Sequence, residues 1–289
     1  MKNATANKPV FLTLMGLAAY LLVECLFAFL WALPHGVSYI PKYFWTLDMY
    51  IPDPFITWNF SPTHICWAVT TVIFIVLTVF VFRRQSEKTR NRVLLVLAIF
   101  IVSIELIDWI WYIIIGHYSL RNNLPLHLCS ISVFLEAAAI FASRNKLLKE
   151  FTYALSMPAA FMALLTPGWT YPFISFQYLR SAMSHSLLIL IPVLLVWGSG
   201  FRPDYRRLPR CFLLLMCFVG MAAGANALFD SNYMFLSYVP GDTTLQVFER
   251  WFGHPGYIFV EVVLLMIIWI ILYTPWIIAD RKHRQHDEQ

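Results

Sequence analysis

Eight apolar runs dominate this chain and leave it little choice of fold. They cover residues 10–33, 61–82, 93–116, 125–142, 152–168, 179–198, 211–228 and 257–279. A helix needs about 20 mainly apolar residues to cross a bilayer, and most of these runs reach that length. The 289 residues are 60% hydrophobic and only 13% charged, so no water-soluble domain fits in the remainder. The expected fold is therefore all-α, a polytopic transmembrane bundle of eight helices. Three parts follow from the pattern: residues 1–55 (an N-terminal transmembrane helix and an aromatic loop), a membrane core over 56–280, and a short polar tail over 281–289. The first run is too long for a signal sequence and lacks a small-residue cleavage site, so it reads as a retained helix.

The net charge of +5 does not point to nucleic acid. All Lys and Arg except Lys42, Arg121, Arg180 and Arg250 fall in alternate connections or at the two ends. That sorting follows the positive-inside rule and predicts a multi-pass protein of the cell membrane with both termini cytoplasmic. The five cysteines, at 25, 66, 129, 211 and 217, all lie in the runs, so none suggests an extracellular disulfide framework.

With alternating helix directions, each intramembrane polar residue acquires a predicted depth. His64, Asp108, His127, Cys129, Thr166, His185 and Glu261 are placed in the outer half of the bilayer, with Glu105 near the midplane. Ionisable residues in hydrocarbon are costly and mark function by default. Glu105, Asp108 and Tyr112 stand at i, i+3 and i+7, on one helix face. His127 and Cys129 are two apart and point to nearly opposite sides of their helix. Cys129 shares its face with Ser132 and Glu136. Any base for a Cys129 nucleophile must therefore come from another helix, and His185 matches it in depth. His127 is then free to position substrate or to donate to an oxyanion. Glu24 and Glu136 are expected to pair across the bundle or to sit protonated. Residues 34–60 and 229–256 are rich in aromatic residues, including Tyr39, Phe55, Trp58 and Tyr233. They suit a lid at the headgroup level, from which Asn232 or Asp242 can reach a polar headgroup. Thr166-Pro167 suits a helix end.

The segment Leu124-Pro125-Leu126-His127-Leu128-Cys129-Ser130 resembles the YwaF-like family of bacterial integral membrane proteins. So do Phe60-Ser61-Pro62-Thr63-His64, Ile104-Glu105, Leu164-Leu165-Thr166-Pro167, His185, and Asn232-Tyr233-Met234-Phe235-Leu236 with Pro240. The resemblance runs from Asn59 to the end of the last helix and implies a seven-helix core, with helix 1 as an addition. That family is similar to eukaryotic transmembrane acyltransferases that act on ether lysophospholipids. The resemblance implies a thioester route in which Cys129 and His185 are catalytic, with phospholipid and lysophospholipid as substrates. Two positions depart from the pattern: Ser186 stands where a glycine is expected, and Val239 where a basic residue is expected. The second bears on headgroup recognition, not on the cysteine.

Three functions are therefore carried forward. The first is a cysteine-dependent phospholipid acyltransferase or transacylase (a lipase if water is the acceptor), which needs no metal or other cofactor. The second is a metal-dependent membrane lipid hydrolase using His64, His127 and His185 with Asp108 or Glu261; its histidines are dispersed one per helix. The third is a lipid-binding or transport protein without turnover.

Overall fold

The computed structural model describes residues 2–35, 42–51, 59–166, 175–241, 243 and 245–287. Tyr39, Phe55, Trp58, Pro167 and Asp242 lie outside the described residues. The described chain is all-helical. Its elements are α1 (Lys2–Ala32), α2 (Pro62–Arg83), α3 (Glu87–Ile114), α4 (Leu128–Phe141), α5 (Lys146–Phe151), α6 (Met157–Leu165), α7 (Phe176–Val193), α8 (Leu208–Phe229), α9 (Leu245–Phe252) and α10 (Gly256–Asp287). Among the described residues, α1, α2, α3, α8 and α10 each contain a stretch long and apolar enough to span a membrane, and so does α7 with the turn that extends it. The fourth predicted run is the short helix α4, whose 14 residues rise about 21 Å.

The fifth run is divided, and its sequence explains why. A π-helical turn, Thr152–Ser156, joins α5 to α6. Pro158 has no N–H to give to the carbonyl of Ala154 four residues earlier. The Trp269 indole N–H of α10 donates to that carbonyl instead, at 2.9 Å. Tyr153, in the same turn, donates to the Leu272 carbonyl and accepts from the Trp276 indole. A break inside one helix thus becomes the attachment point of the last one. Such turns are tolerated at membrane depth only when neighbours satisfy the freed groups.

Helix α7 is the centre of the bundle. About four-fifths of its apolar span is buried, whereas α2, α8 and α10 turn most of their surface outward. It packs against α1, α2, α3, α4 and α6. Polar residues on α7 therefore face protein and need protein partners. Ser186 is fully buried, and its hydroxyl donates to the Ala182 carbonyl at 2.7 Å. With its proton committed, its two lone pairs are shared among three neighbours, Tyr20 at 2.8 Å, Thr71 at 2.9 Å and the Trp67 indole at 3.4 Å, and the Tyr20 and Thr71 hydroxyls also bond each other at 3.0 Å. Tyr20 is on α1. The serine that replaces an expected glycine is thus the point at which the additional helix is fastened to α2 and α7. Glu24, one turn further along α1, accepts from Thr70 and does not pair with Glu136. Both Glu136 carboxylate oxygens lack a hydrogen-bond partner among the described residues.

At the far end of α7 the turn Leu194–Gly198 crosses α2 so closely that a Cβ on Gly198 would lie 2.4 Å from the Phe82 ring. Phe82 is buried and has little room to yield. Gly198→Ala is expected to destabilise the protein by about 1–3 kcal/mol through overpacking, seen as a lower melting temperature of the detergent-purified protein. Ser186→Gly should cost about 1–3 kcal/mol, because it removes the buried acceptor shared by Tyr20, Thr71 and Trp67 and leaves the Tyr20 and Thr71 hydroxyls, 3.0 Å apart, only each other. Tyr20→Phe should then cost less in that variant than in the wild type, a non-additivity that a double-mutant cycle in the same melting assay measures.

Candidate functional site

Site residues gather at the end of the bundle where α3 finishes, α4 begins and α7 begins. Glu105 and Asp108 share one face of α3, as their spacing requires, and that face meets α7. Arg180 lies 3.5 Å from Glu105 and 3.3 Å from Asp108. The Gln177 amide donates to Asp108 at 2.7 Å, and the Arg180 Nε donates to Gln177 Oε1 at 3.1 Å. The side chains of Glu105 and Asp108 are only 5% and 8% exposed and that of Arg180 18%, so these charges meet largely out of water. Sequence reasoning counted Arg180 only as a loop-side charge. The structure places it in the second turn of α7, where it offsets the two carboxylates. A single arginine at the start of an apolar run, opposite two intramembrane carboxyls, was the available signal.

Cys129 is in the first turn of α4 and is half-buried. Glu105 and Glu136 are the carboxyls close enough to act on it electrostatically. Ser130 is within reach of Glu105. Helix α4 packs against α7, which carries His185. His185 is the one residue between Ser181 and Pro192 that is not buried. Its Nδ1 lies 2.8 Å from the Ser181 carbonyl, an oxygen that can only accept. The proton therefore sits on Nδ1, and Nε2 keeps its lone pair. Nε2 has no hydrogen bond from the described residues, and none joins His185 to Cys129.

His127 caps α4 from outside the helix and is set in aromatic rings, 5.4 Å from Tyr233 and 5.3 Å from Phe235. Its Nδ1 accepts the Met234 amide at 3.3 Å, which leaves Nε2 as an N–H donor. Tyr233 is a clamp. Its hydroxyl donates to the Leu120 carbonyl at 2.7 Å and accepts from the Leu124 amide at 2.9 Å, fixing the segment that leads into α4. Asn226 holds Tyr233 by accepting its amide at 2.7 Å and donating to its carbonyl at 3.1 Å. Met234 and Phe235 have φ of 55° and 54°, a left-handed conformation that costs non-glycine residues energy. The His127 contact, the Tyr257 hydroxyl on the Phe235 carbonyl and the His254 ring on the Leu236 carbonyl hold them there. Strain held by several contacts is a common property of functional loops.

Other predicted residues have different duties. His64 accepts the Phe60 amide on Nδ1 and donates from Nε2 to the Leu164 carbonyl, both at 2.8 Å. Both ring nitrogens are spent, Nδ1 on the turn that leads into α2 and Nε2 on the end of α6. Thr166 bonds back to Met162, as a helix end does. Asn232, expected at a headgroup, instead accepts the Ser237 and Tyr238 amides and donates to the Tyr238 carbonyl. Glu261 is half-buried one turn from Tyr257. Among the described residues no three of His, Cys, Asp and Glu come together as metal ligands. The part of the first aromatic loop that is described lies over the start of α7: the Phe176 amide donates to the Phe44 carbonyl, and the Trp45 and Phe176 rings are 4.9 Å apart.

These features define a multi-pass, all-helical membrane protein with a polar cluster at one end of its bundle, capped by aromatic loops. The chain belongs to the TMEM164 family, whose model matches residues 59–273. The match begins beyond α1 and includes Cys129, His127, His185 and the Asn232–Leu236 cap. No curated protein and no solved structure matches the chain.

The ion cluster makes its own prediction. Arg180→Met should destabilise the protein by about 3–5 kcal/mol, because two buried carboxyls lose their counter-charge. Combining it with Glu105→Gln and Asp108→Asn should recover most of that loss in thermal melts.

Proposed function

We propose that this protein is a membrane-embedded phospholipid acyltransferase or transacylase that works through a thioester on Cys129. The observation that carries the reading is His185: a half-buried imidazole in an otherwise buried stretch, with an unpartnered Nε2, on the helix packed against the one bearing Cys129. The chemistry balances without a cofactor. His185 Nε2 takes the Cys129 thiol proton, and the sulfur attacks an ester carbonyl of a phospholipid. The oxygen that becomes negative meets the Nε2–H of His127. Collapse breaks the ester C–O bond, and His185 returns its proton to the leaving lysophospholipid. An acceptor lysophospholipid hydroxyl then attacks the thioester, giving its proton to His185, which passes it back to sulfur. With water as acceptor the same steps make a lipase.

Further support comes from the surroundings. The aromatic loops suit an outer-leaflet site, in a cell membrane with cytoplasmic termini. The strained cap gives a segment whose movement would admit lipid. Because no hydrogen bond joins Cys129 to His185, the two side chains must come together before proton transfer. The metal-hydrolase reading is weaker, since His64 has no free ring nitrogen.

The test is intact-mass measurement of the purified protein after incubation with mixed phospholipids, before and after neutral hydroxylamine. A fatty-acyl adduct that hydroxylamine removes is expected on the wild type and not on Cys129→Ser. His185→Ala should form it about 100-fold more slowly or worse. An absence of adduct on wild type and His185→Ala alike would favour lipid binding without turnover.

A further inference from the structure

The end of the bundle opposite Cys129 carries a second site that the acyl-transfer reading does not use. A cavity of about 560 Å³ opens between α2 and the turn that follows α7. Its walls are apolar, with Val76, Val79 and Phe80 on α2 facing Val193 and Trp197. Val76 and Phe80 remain exposed, so the cavity opens sideways toward lipid rather than into the core. It is closed at one end by Arg83 and Arg84. From Ile75 to Arg84 the helix rises about 14 Å, close to the hydrocarbon depth of one leaflet, which is about 15 Å.

The polar groups at that end are uncommitted. Among the described residues neither Arg83 nor Arg84 forms an ion pair. Arg84 is held in place by stacking on Phe80, its guanidinium carbon 3.9 Å from the ring centre, a contact that leaves its N–H groups free to bind. Trp197 packs its ring near Tyr153 and Trp276, and its indole N–H has no acceptor among the described residues. Two cations and a neutral donor thus converge where an apolar groove meets the membrane surface. Guanidinium groups recognise phosphate oxygens in particular.

We propose that this groove is a binding site for one anionic phospholipid, with an acyl chain along Val76 and Val79 and its phosphate between Arg83, Arg84 and the Trp197 indole. The site is independent of Cys129 and binds its lipid without chemistry. Basic residues at a membrane surface attract anionic lipid in general; the pairing of two unpaired arginines with a leaflet-deep apolar groove makes this a site for one molecule.

Native mass spectrometry of the full chain, exposed to equal phosphatidylglycerol and phosphatidylcholine, tests it. The wild type should retain phosphatidylglycerol over phosphatidylcholine on the order of tenfold. Arg83→Ala with Arg84→Ala should bring the two lipids to parity. Lys88→Ala with Arg144→Ala removes the same charge from exposed positions outside the groove and should leave the preference intact. Val76→Trp fills the groove from an exposed position and should reduce retention of the bound lipid. Millimolar glycerol phosphate should not displace it. Parity in the wild type, equal loss in the charge-matched control, no effect of Val76→Trp, or displacement by glycerol phosphate would each overturn the proposal.

Discussion

The pairing of Arg180 with Glu105 and Asp108 is the constraint on which the site end of the bundle depends. Neither partner is tolerable alone at that depth, because an unpaired buried charge costs several kcal/mol. The pairing sets the rotation of α3 against α7 and so brings the start of α4 beside both. Gln177 completes the network from the first turn of α7, and the first aromatic loop lies directly over it. Cys129 gains its position from this arrangement: its helix begins where the paired charges have already fixed two neighbours.

The same rule governs the rest of α7. A central helix surrounded by protein cannot point its hydroxyls at lipid or water, so they depend on neighbours for hydrogen bonds. Ser186 is answered by Tyr20, Thr71 and Trp67, which makes α1 part of the bundle although it precedes the region shared with the family. His185, one residue earlier, is only partly answered. Its Nδ1 turns back to its own helix, and its other nitrogen is left available. The buried Ser184 hydroxyl beside it also has no hydrogen-bond partner among the described residues, so α7 leaves polar groups unanswered at the place where chemistry is proposed.

The cap over His127 shows how a loop can be ordered and still poised. Two consecutive residues in a left-handed conformation would relax if released, and the contacts that hold them come from three residues at two places: His127 at the mouth of α4, and His254 and Tyr257 around the start of α10. Loss of any one would loosen the cap, which ties opening of this face to movement of the last helix.

Much of this was legible in the amino-acid sequence. Eight apolar runs and the sorting of basic residues specify a polytopic helical bundle, because hydrocarbon admits backbone only where its hydrogen bonds are satisfied internally. The spacing of Glu105 and Asp108 specifies a shared face, and the spacing of His127 and Cys129 keeps them apart, because helix geometry alone sets those angles. The fifth run reads as one continuous span over 152–168, and its π-helical turn, held by Trp269 and Tyr153, emerges only in the structure. Tertiary structure alone decided which groups meet. That Arg180 serves the carboxylates, that His64 and Asn232 are spent on backbone, that Tyr233 clamps the approach to α4 and that Ser186 fastens α1 all depend on contacts between residues far apart in sequence. Periodicity carries direction around one helix but no information about which neighbour will stand there.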